Sequence, residues 1–259
     1  MKGLKKYSHK DREKVIREMV PLIERKFGKN LVALAAQASY ARHEDFDYSD
    51  LELIAFVEKM PRGKKVGAMG KIRDGLMVEL AWMTKETYIE ETLEVTENWY
   101  IAGSDKLFPI INERFIESLS QYTPRNLEEK CLSHAASHWY EVQESTAKVL
   151  NAISKRNKLG ISLLVLDMYL RMLIILSFLN QTPYKTFSEF ISQSRKFKNK
   201  PEHFDELTRI IVDGEYQDLP NLKQAVVNVF TEFEAIFDEL GFDLYDHDVD
   251  PSKPNKKFV

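Results

Sequence analysis

The sequence predicts an α+β first half built on a small mixed sheet, followed by an all-α helical bundle. Two contrasts carry this expectation. Between residues 31 and 82, apolar runs of strand length recur, separated by polar turns. Beyond Pro124 strand-like alternation gives way to helical patterns that continue to about residue 240. The change of texture falls at Tyr122–Arg125 and divides the chain into domains 1–124 and 125–259.

Ser8 opens the first element, with Asp11 three residues on as in a capping box. Val15, Met19, Ile23 and Phe27 follow at helical spacing, and Gly28 stands where a C-terminal cap belongs. Pro21 should kink or break this helix. Leu31–Gln37 is too short and apolar for a helix and reads as a buried strand. A polar turn, Ala38–Ser49, leads to a second strand, Asp50–Val57, and Pro61 and Gly63 mark a loop at Met60–Lys65. Val66–Arg73 and Leu76–Trp82 read as strands joined at Asp74-Gly75, a pair suited to a tight hairpin. Lys85–Leu93 reads as helix. In the second half, helices are expected at Leu127–Ser154, Leu159–Leu179, Phe187–Phe197, Glu202–Val212 and Leu222–Leu240. The tail Asp243–Val259, with Pro251 and Pro254, has no period and belongs on the surface.

Composition narrows the function classes. Of 259 residues 44% are hydrophobic and 30% charged, as in an ordinary folded domain, and the formal charge of −3 implies no polyelectrolyte partner. A nucleic acid or a membrane would need a local patch. Cys131 stands alone, which excludes an intramolecular disulfide and a multi-cysteine zinc site. No apolar segment follows the basic start, so no signal peptide is expected. The longest apolar run, Ile161–Leu179, contains Asp167 and Arg171, costly inside a bilayer, and reads as a buried helix. These readings point to the cytoplasm.

The chemistry concentrates at Ala38-Ser39-Tyr40-Ala41-Arg42 and Tyr48-Ser49-Asp50-Leu51-Glu52. Alternation along a strand puts Asp50 and Glu52 on one face. Two carboxylates so placed repel unless a cation lies between them, and hard oxygen ligands favour magnesium. Glu79 sits between apolar Val78 and Leu80 and joins the pair if its strand lies beside theirs. Three such carboxylates can hold two metal ions, which activate an attacking hydroxyl and stabilise a leaving phosphate oxygen. The turn after the first strand offers Ser39, backbone N–H groups and Arg42 to a phosphate. An Asp-x-Glu pair alone is common on solvated faces; the order strand, phosphate turn, acidic strand is what gives it meaning.

These residues resemble the polymerase-β-type nucleotidyltransferase motif, Gly-Ser-x-x-[Gly/Ala]-Arg followed by Ser-Asp-x-[Asp/Glu]. Within that superfamily the chain looks like the kanamycin nucleotidyltransferase (aminoglycoside nucleotidyltransferase) branch. The likeness covers most of the chain, including Val78-Glu79-Leu80, Ile211-Val212-Asp213-Gly214 and the segment from Tyr184 to Phe242. It implies transfer of a nucleoside monophosphate from a magnesium-bound ATP or other nucleoside triphosphate to a hydroxyl of a small acceptor, such as an aminoglycoside-type antibiotic. Asp50, Glu52 and Glu79 match the ligands of two Mg2+ ions, and Ser39 and Ser49 match nucleotide-phosphate positions, with Arg42 alongside. Glu144 and Lys148 match a general base and its lysine one turn later, and Glu141 matches an acid of the acceptor pocket. The resemblance also implies a homodimer.

Two positions depart from the pattern. Ala38 replaces the motif's first glycine, where a methyl group crowds a backbone that approaches phosphate. The run Lys59-Met60-Pro61-Arg62-Gly63-Lys64-Lys65, with Lys71 and Arg73, is basic where an aminoglycoside pocket should be acidic. As a solvated loop it carries no meaning; as a binding surface it fits a protein side chain or an RNA end. A non-catalytic member that kept the fold, binding nucleotide or another protein, is the rival reading.

Other constellations weigh less. His134, His138 and Glu141 share a helical face and could ligate zinc, but more often such residues make ordinary polar contacts. Glu144 and Lys148, considered without the resemblance, are a plain helix salt bridge. Trp139 and Tyr140 read as packing residues. No Walker loop, dinucleotide fingerprint or serine elbow is present.

Overall fold

A computed structural model describes residues 3–245 and 250–252, and the remaining tail positions, 246–249 and 253–259, lie outside the described residues. The chain forms two compact units. The first comprises Met1–Glu94 with Ala102–Arg125; the second takes Val95–Ile101 and the chain from Asn126 onward. The segment 95–101 therefore belongs with the helical half, a connection the sequence alone did not reveal.

The first unit is a mixed five-stranded sheet in the order β3-β4-β2-β1-β5. Its strands are β1 (Leu31–Ala36), β2 (Leu51–Val57), β3 (Val66–Arg73), β4 (Leu76–Met83) and β5 (Phe108–Ile111). The β2–β4 pair is parallel and the others antiparallel. Asp74 and Gly75 both have positive φ, 50° and 87°, as the expected two-residue hairpin turn requires. The lone short strand β5 was not anticipated.

Helix α1 (His9–Phe27) starts at the Ser8–Asp11 capping box and ends at Gly28, whose φ is 53°. It runs unbroken through Pro21, contrary to the expected break. Pro21 lies on the exposed face, where the carbonyl it leaves without a partner can take water. The α1 face of the sheet buries Val15, Ile16 and Ile23 against Leu51, Leu53, Val78 and Leu80. Short helices α2 (Ala38–Ala41) and α3 (Lys85–Tyr88) follow β1 and β4, α3 continuing as a wider turn at Ile89–Leu93. Helix α4 (Trp99–Ala102) precedes β5 and α5 (Glu113–Ser120) follows it. Ile116 and Leu119 of α5, with Tyr88, cover the second face of the sheet over Ala33, Ala35, Ile54 and Phe56.

The second unit is all helical: α6 (Leu127–Ser137), α7 (Trp139–Ser154), α8 (Ile161–Leu179), α9 (Phe190–Ser194), α10 (Phe204–Val212) and α11 (Leu219–Glu239). The expected helix Leu127–Ser154 is two helices meeting at His138. Helix α8 is the one helix among the described residues long and apolar enough to cross a membrane, and more than half of it is buried within this unit. Its Met168, Met172, Ile175 and Leu176 are fully buried. Trp139 packs on Phe230 and Phe237 of α11, as a core residue should, whereas its neighbour Tyr140 is 76% exposed and is not a packing residue.

One buried cation shapes the segment between β1 and β2. The Arg12 side chain is fully buried and ion-paired at 2.9 Å with Asp45, itself 1% exposed. Its remaining donors reach the carbonyls of Tyr7, Phe46 and Ser49 at 2.6–3.2 Å. All five guanidinium N–H groups are thereby satisfied. Removing one partner of such a pair leaves an uncompensated buried charge. Arg12→Met is expected to lower stability by about 3–5 kcal/mol in urea titrations, with Asp45→Asn on that background restoring part of the loss.

Candidate active site

Two of the three acids expected to act together, Glu52 and Glu79, share one face of the sheet. Glu52 and Glu79 are direct register partners in the parallel β2–β4 pair, so their backbones lie about 4.8 Å apart. Leu51, Leu53, Val78 and Leu80 point into the α1 core, which turns Glu52 and Glu79 to the opposite face. Asp50 lies one residue before β2. Burial, followed by repulsion from Asp50, Asp105 and Glu79, pushes the Glu52 carboxyl up to about 7, while Arg42 opposes the rise. The donor set is three carboxylates and no nitrogen or sulfur, which fits magnesium, and a divalent cation would relieve the repulsion that raises Glu52.

Asp105 is a member of this site that the sequence reading missed. It sits in the loop before β5, and burial pushes its carboxyl up to about 6 against the pull of Arg42. In sequence it stands in Gly103-Ser104-Asp105-Lys106, an unremarkable turn. Its isolation from the Asp50–Glu52 motif hid it.

The turn after β1, expected from sequence to meet phosphate, is strained at Ala38 and carries Arg42. Ala38 has φ 53°, the left-handed region that its motif counterpart, glycine, occupies without cost. Ser39 follows in α2, its carbonyl accepting from the Glu44 N–H at 3.0 Å. The Arg42 side chain is 5% exposed and donates from Nε to Glu44 at 2.8 Å. Its Nη1 is buried with no hydrogen-bond partner, an orphan donor that an anionic oxygen would satisfy. Ser49 behaves differently: its Oγ accepts from the Phe46 N–H at 3.0 Å and closes the loop that Arg12 grips.

The candidates of the second unit lie on α7. Glu144 and Lys148 form the i,i+4 ion pair at 3.0 Å, each about half exposed. Glu141 bonds Arg171, which also meets Asp167 at 3.3 Å. The rings of His134 and His138 stack on Phe178. Among the described residues, the one trio of possible metal-binding side chains with all ligand atoms within 4.8 Å is Glu202, His203 and Glu232. Asp50, Glu52 and Glu79 do not form such a trio: their ligand atoms do not all lie within that distance of one another. In the basic run, Lys65 lies 3.6 Å from Glu90 and Arg73 pairs with Glu18, and the loop from Pro61 to Lys65 is exposed throughout.

Two outcomes are expected. Glu52 is protonated in both folded and unfolded chains at pH 4, so Glu52→Gln should leave stability unchanged there. At pH 8 the folded carboxylate is held charged against its raised value, so the same variant should gain on the order of 2–3 kcal/mol, read by thermal unfolding. Ala38→Gly should gain about 1 kcal/mol at either pH by relieving the left-handed backbone.

Comparison with known proteins places the second half. Residues 122–243 match the family model of the KNTase C-terminal domain. Among solved structures, a nucleotidyltransferase-like protein from Exiguobacterium sibiricum 255-15 aligns with a TM-score of 0.50 at 10% identity, covering 86% of this chain and 75% of that one. At that identity the likeness speaks for the fold. No curated protein gives a match.

Proposed function

We propose, for a chain that belongs by its KNTase C-terminal domain to the kanamycin-nucleotidyltransferase-like branch, that it transfers a nucleoside monophosphate from a magnesium–nucleoside triphosphate to the hydroxyl of a small acceptor. The observation that carries the reading is the shared face of Glu52 and Glu79, with Asp50 and the orphan donor of Arg42 alongside.

Asp50, Glu52 and Glu79 would hold the metal. Two bound magnesium ions would supply charge neutralisation at the transferred phosphate and acidify the attacking hydroxyl. Arg42 would give Nη1 to a phosphate oxygen, and Ser39 and Ser49 would steady the chain of phosphates from the turn and the loop that flank Arg42. Glu144 is assigned the proton of the acceptor hydroxyl, and Lys148 the orientation of Glu144 or the charge on phosphate. These two roles rest on the resemblance together with their observed pairing. ATP is the first triphosphate to try, and a homodimer is part of the same reading.

The acceptor class is where the reading is least aminoglycoside-like. Glu141 is engaged by a cation of the chain itself, Arg171, which also meets Asp167. A polycation at Glu141 would have to displace it. The rival reading, a member that binds nucleotide without turnover, draws support from the strain stored at Ala38.

Pyrophosphate release with Mg2+, ATP and a panel of hydroxylated acceptors tests the reading. Asp50→Asn is expected to abolish release while leaving the circular dichroism spectrum unchanged. Glu144→Gln should lower turnover by about 10²–10⁴-fold yet keep Mg-ATP binding. Binding without release across the panel in the unaltered chain would favour the rival, and full activity in Asp50→Asn would remove the metal assignment.

A further inference from the structure

A cavity of about 560 Å³ opens within the first unit, and Asp105 forms part of its wall. It lies on the acid-bearing face of the sheet, because its other walls include Tyr88 and Ile116, which cover that face. The register fixes its place. Pro109, also in the wall, pairs with Ala35, and Ala35 pairs with Ile54, the next residue after Glu52 on the same face. Two strand spacings, about 10 Å, therefore separate the cavity from the β2 strand that carries Glu52. Asp105 spans the gap electrically, since its charge is felt by both Glu52 and Tyr88 and it feels Arg42.

The lining is a mixture of apolar side chains, two tyrosines and carboxylates, with Asp105, Glu113 and Glu117 outnumbering Lys106. Apolar and aromatic walls suit the faces of a flat heterocycle. Carboxylates accept from amino groups and have nothing to donate when ionised. We propose that this cavity is the nucleoside pocket, that it seats the base of the triphosphate, and that Asp105 selects bases bearing an exocyclic amino group over uracil. The inference rests on the nucleotidyltransferase reading and extends it to a site and a specificity residue. The phosphates would lie at Arg42 and the acids, and the base would lie beyond Asp105 along the same face.

Calorimetric titration of the full chain with Mg2+ plus ATP, UTP or inorganic tripolyphosphate separates the two layers. The expected result is ATP binding at least about tenfold tighter than tripolyphosphate and tighter than UTP. Ser120 ends α5 on the cavity wall and is exposed, so Ser120→Trp should fill the cavity without entering the core. That variant should bring ATP down to the affinity of tripolyphosphate and leave tripolyphosphate unchanged. Asp105→Asn, which gains a donor, should narrow or reverse the ATP-to-UTP preference. Equal binding of ATP and tripolyphosphate to the unaltered chain, or a full ATP advantage retained in Ser120→Trp, would overturn the pocket while leaving the transferase reading intact. Failure of all three ligands to bind with Mg2+ would remove both.

Discussion

Arg12 spends four of its five hydrogen bonds on residues 45–49 and the fifth on the entry to its own helix. The segment it grips joins α2 to β2, the strand that carries Glu52, and it has no regular structure of its own. Without a fixed partner, those residues would pay backbone entropy of about 1–2 kcal/mol each to hold one shape. The buried guanidinium supplies that partner. His9 adds a contact to Asp45 at 2.7 Å, and Tyr7 donates its N–H to Asp47 at 2.8 Å. Thus α1 does two jobs: its apolar face builds the core under the sheet, and its first turn fixes the geometry of the candidate site.

What that clamp holds in place is unfavourable taken alone. Asp50, Asp105 and Glu79 all press on the buried carboxyl of Glu52, and Arg42 is the nearby cation that eases Glu52 and Asp105. Ala38 adds a left-handed backbone, and Arg42 an unanswered donor. A structure that gathers like charges, strain and an orphan donor in one place has reason to do so when a ligand resolves them together. Under the reading proposed above, a magnesium–triphosphate would do so, the metal answering the acids and a phosphate oxygen answering Arg42.

The elements read correctly from sequence are those whose signal is local. The capping box, the Asp74-Gly75 hairpin and the strands around Asp50–Glu52 each declare themselves within a few residues. Glu79 joins Glu52 only if its strand lies beside the Asp50–Val57 strand, a condition that no local signal settles and that the parallel β2–β4 register meets. Strand β5 escaped because it has four residues and contains Pro109, which a strand at the edge of a sheet tolerates. The break at His138 escaped because no glycine or proline marks it, and the helical period runs on across it. Arg12 and Asp45 were illegible for another reason. They are 33 residues apart, each sits among other charged residues, and only the fold shows that both are buried.

The helical half is the part whose fold was read more readily than its chemistry. Its long apolar helix and regular period made the architecture plain, while Glu141, Glu144 and Lys148 lie on a surface where ion pairs are ordinary and weak, about 0.3–0.5 kcal/mol for an i,i+4 pair. Weak pairs have one functional consequence. A ligand group that binds Glu144 has little to displace, so the observed bridge to Lys148 is compatible with a base that must be released to take a proton. The Glu141–Arg171–Asp167 chain differs, because one guanidinium serves two carboxylates and is harder to pull away. Under the proposed reading, an acceptor at this surface would meet Glu144 as a loosely paired carboxylate and Arg171 as a held cation, a setting that suits a hydroxylated group of low positive charge better than a polycation.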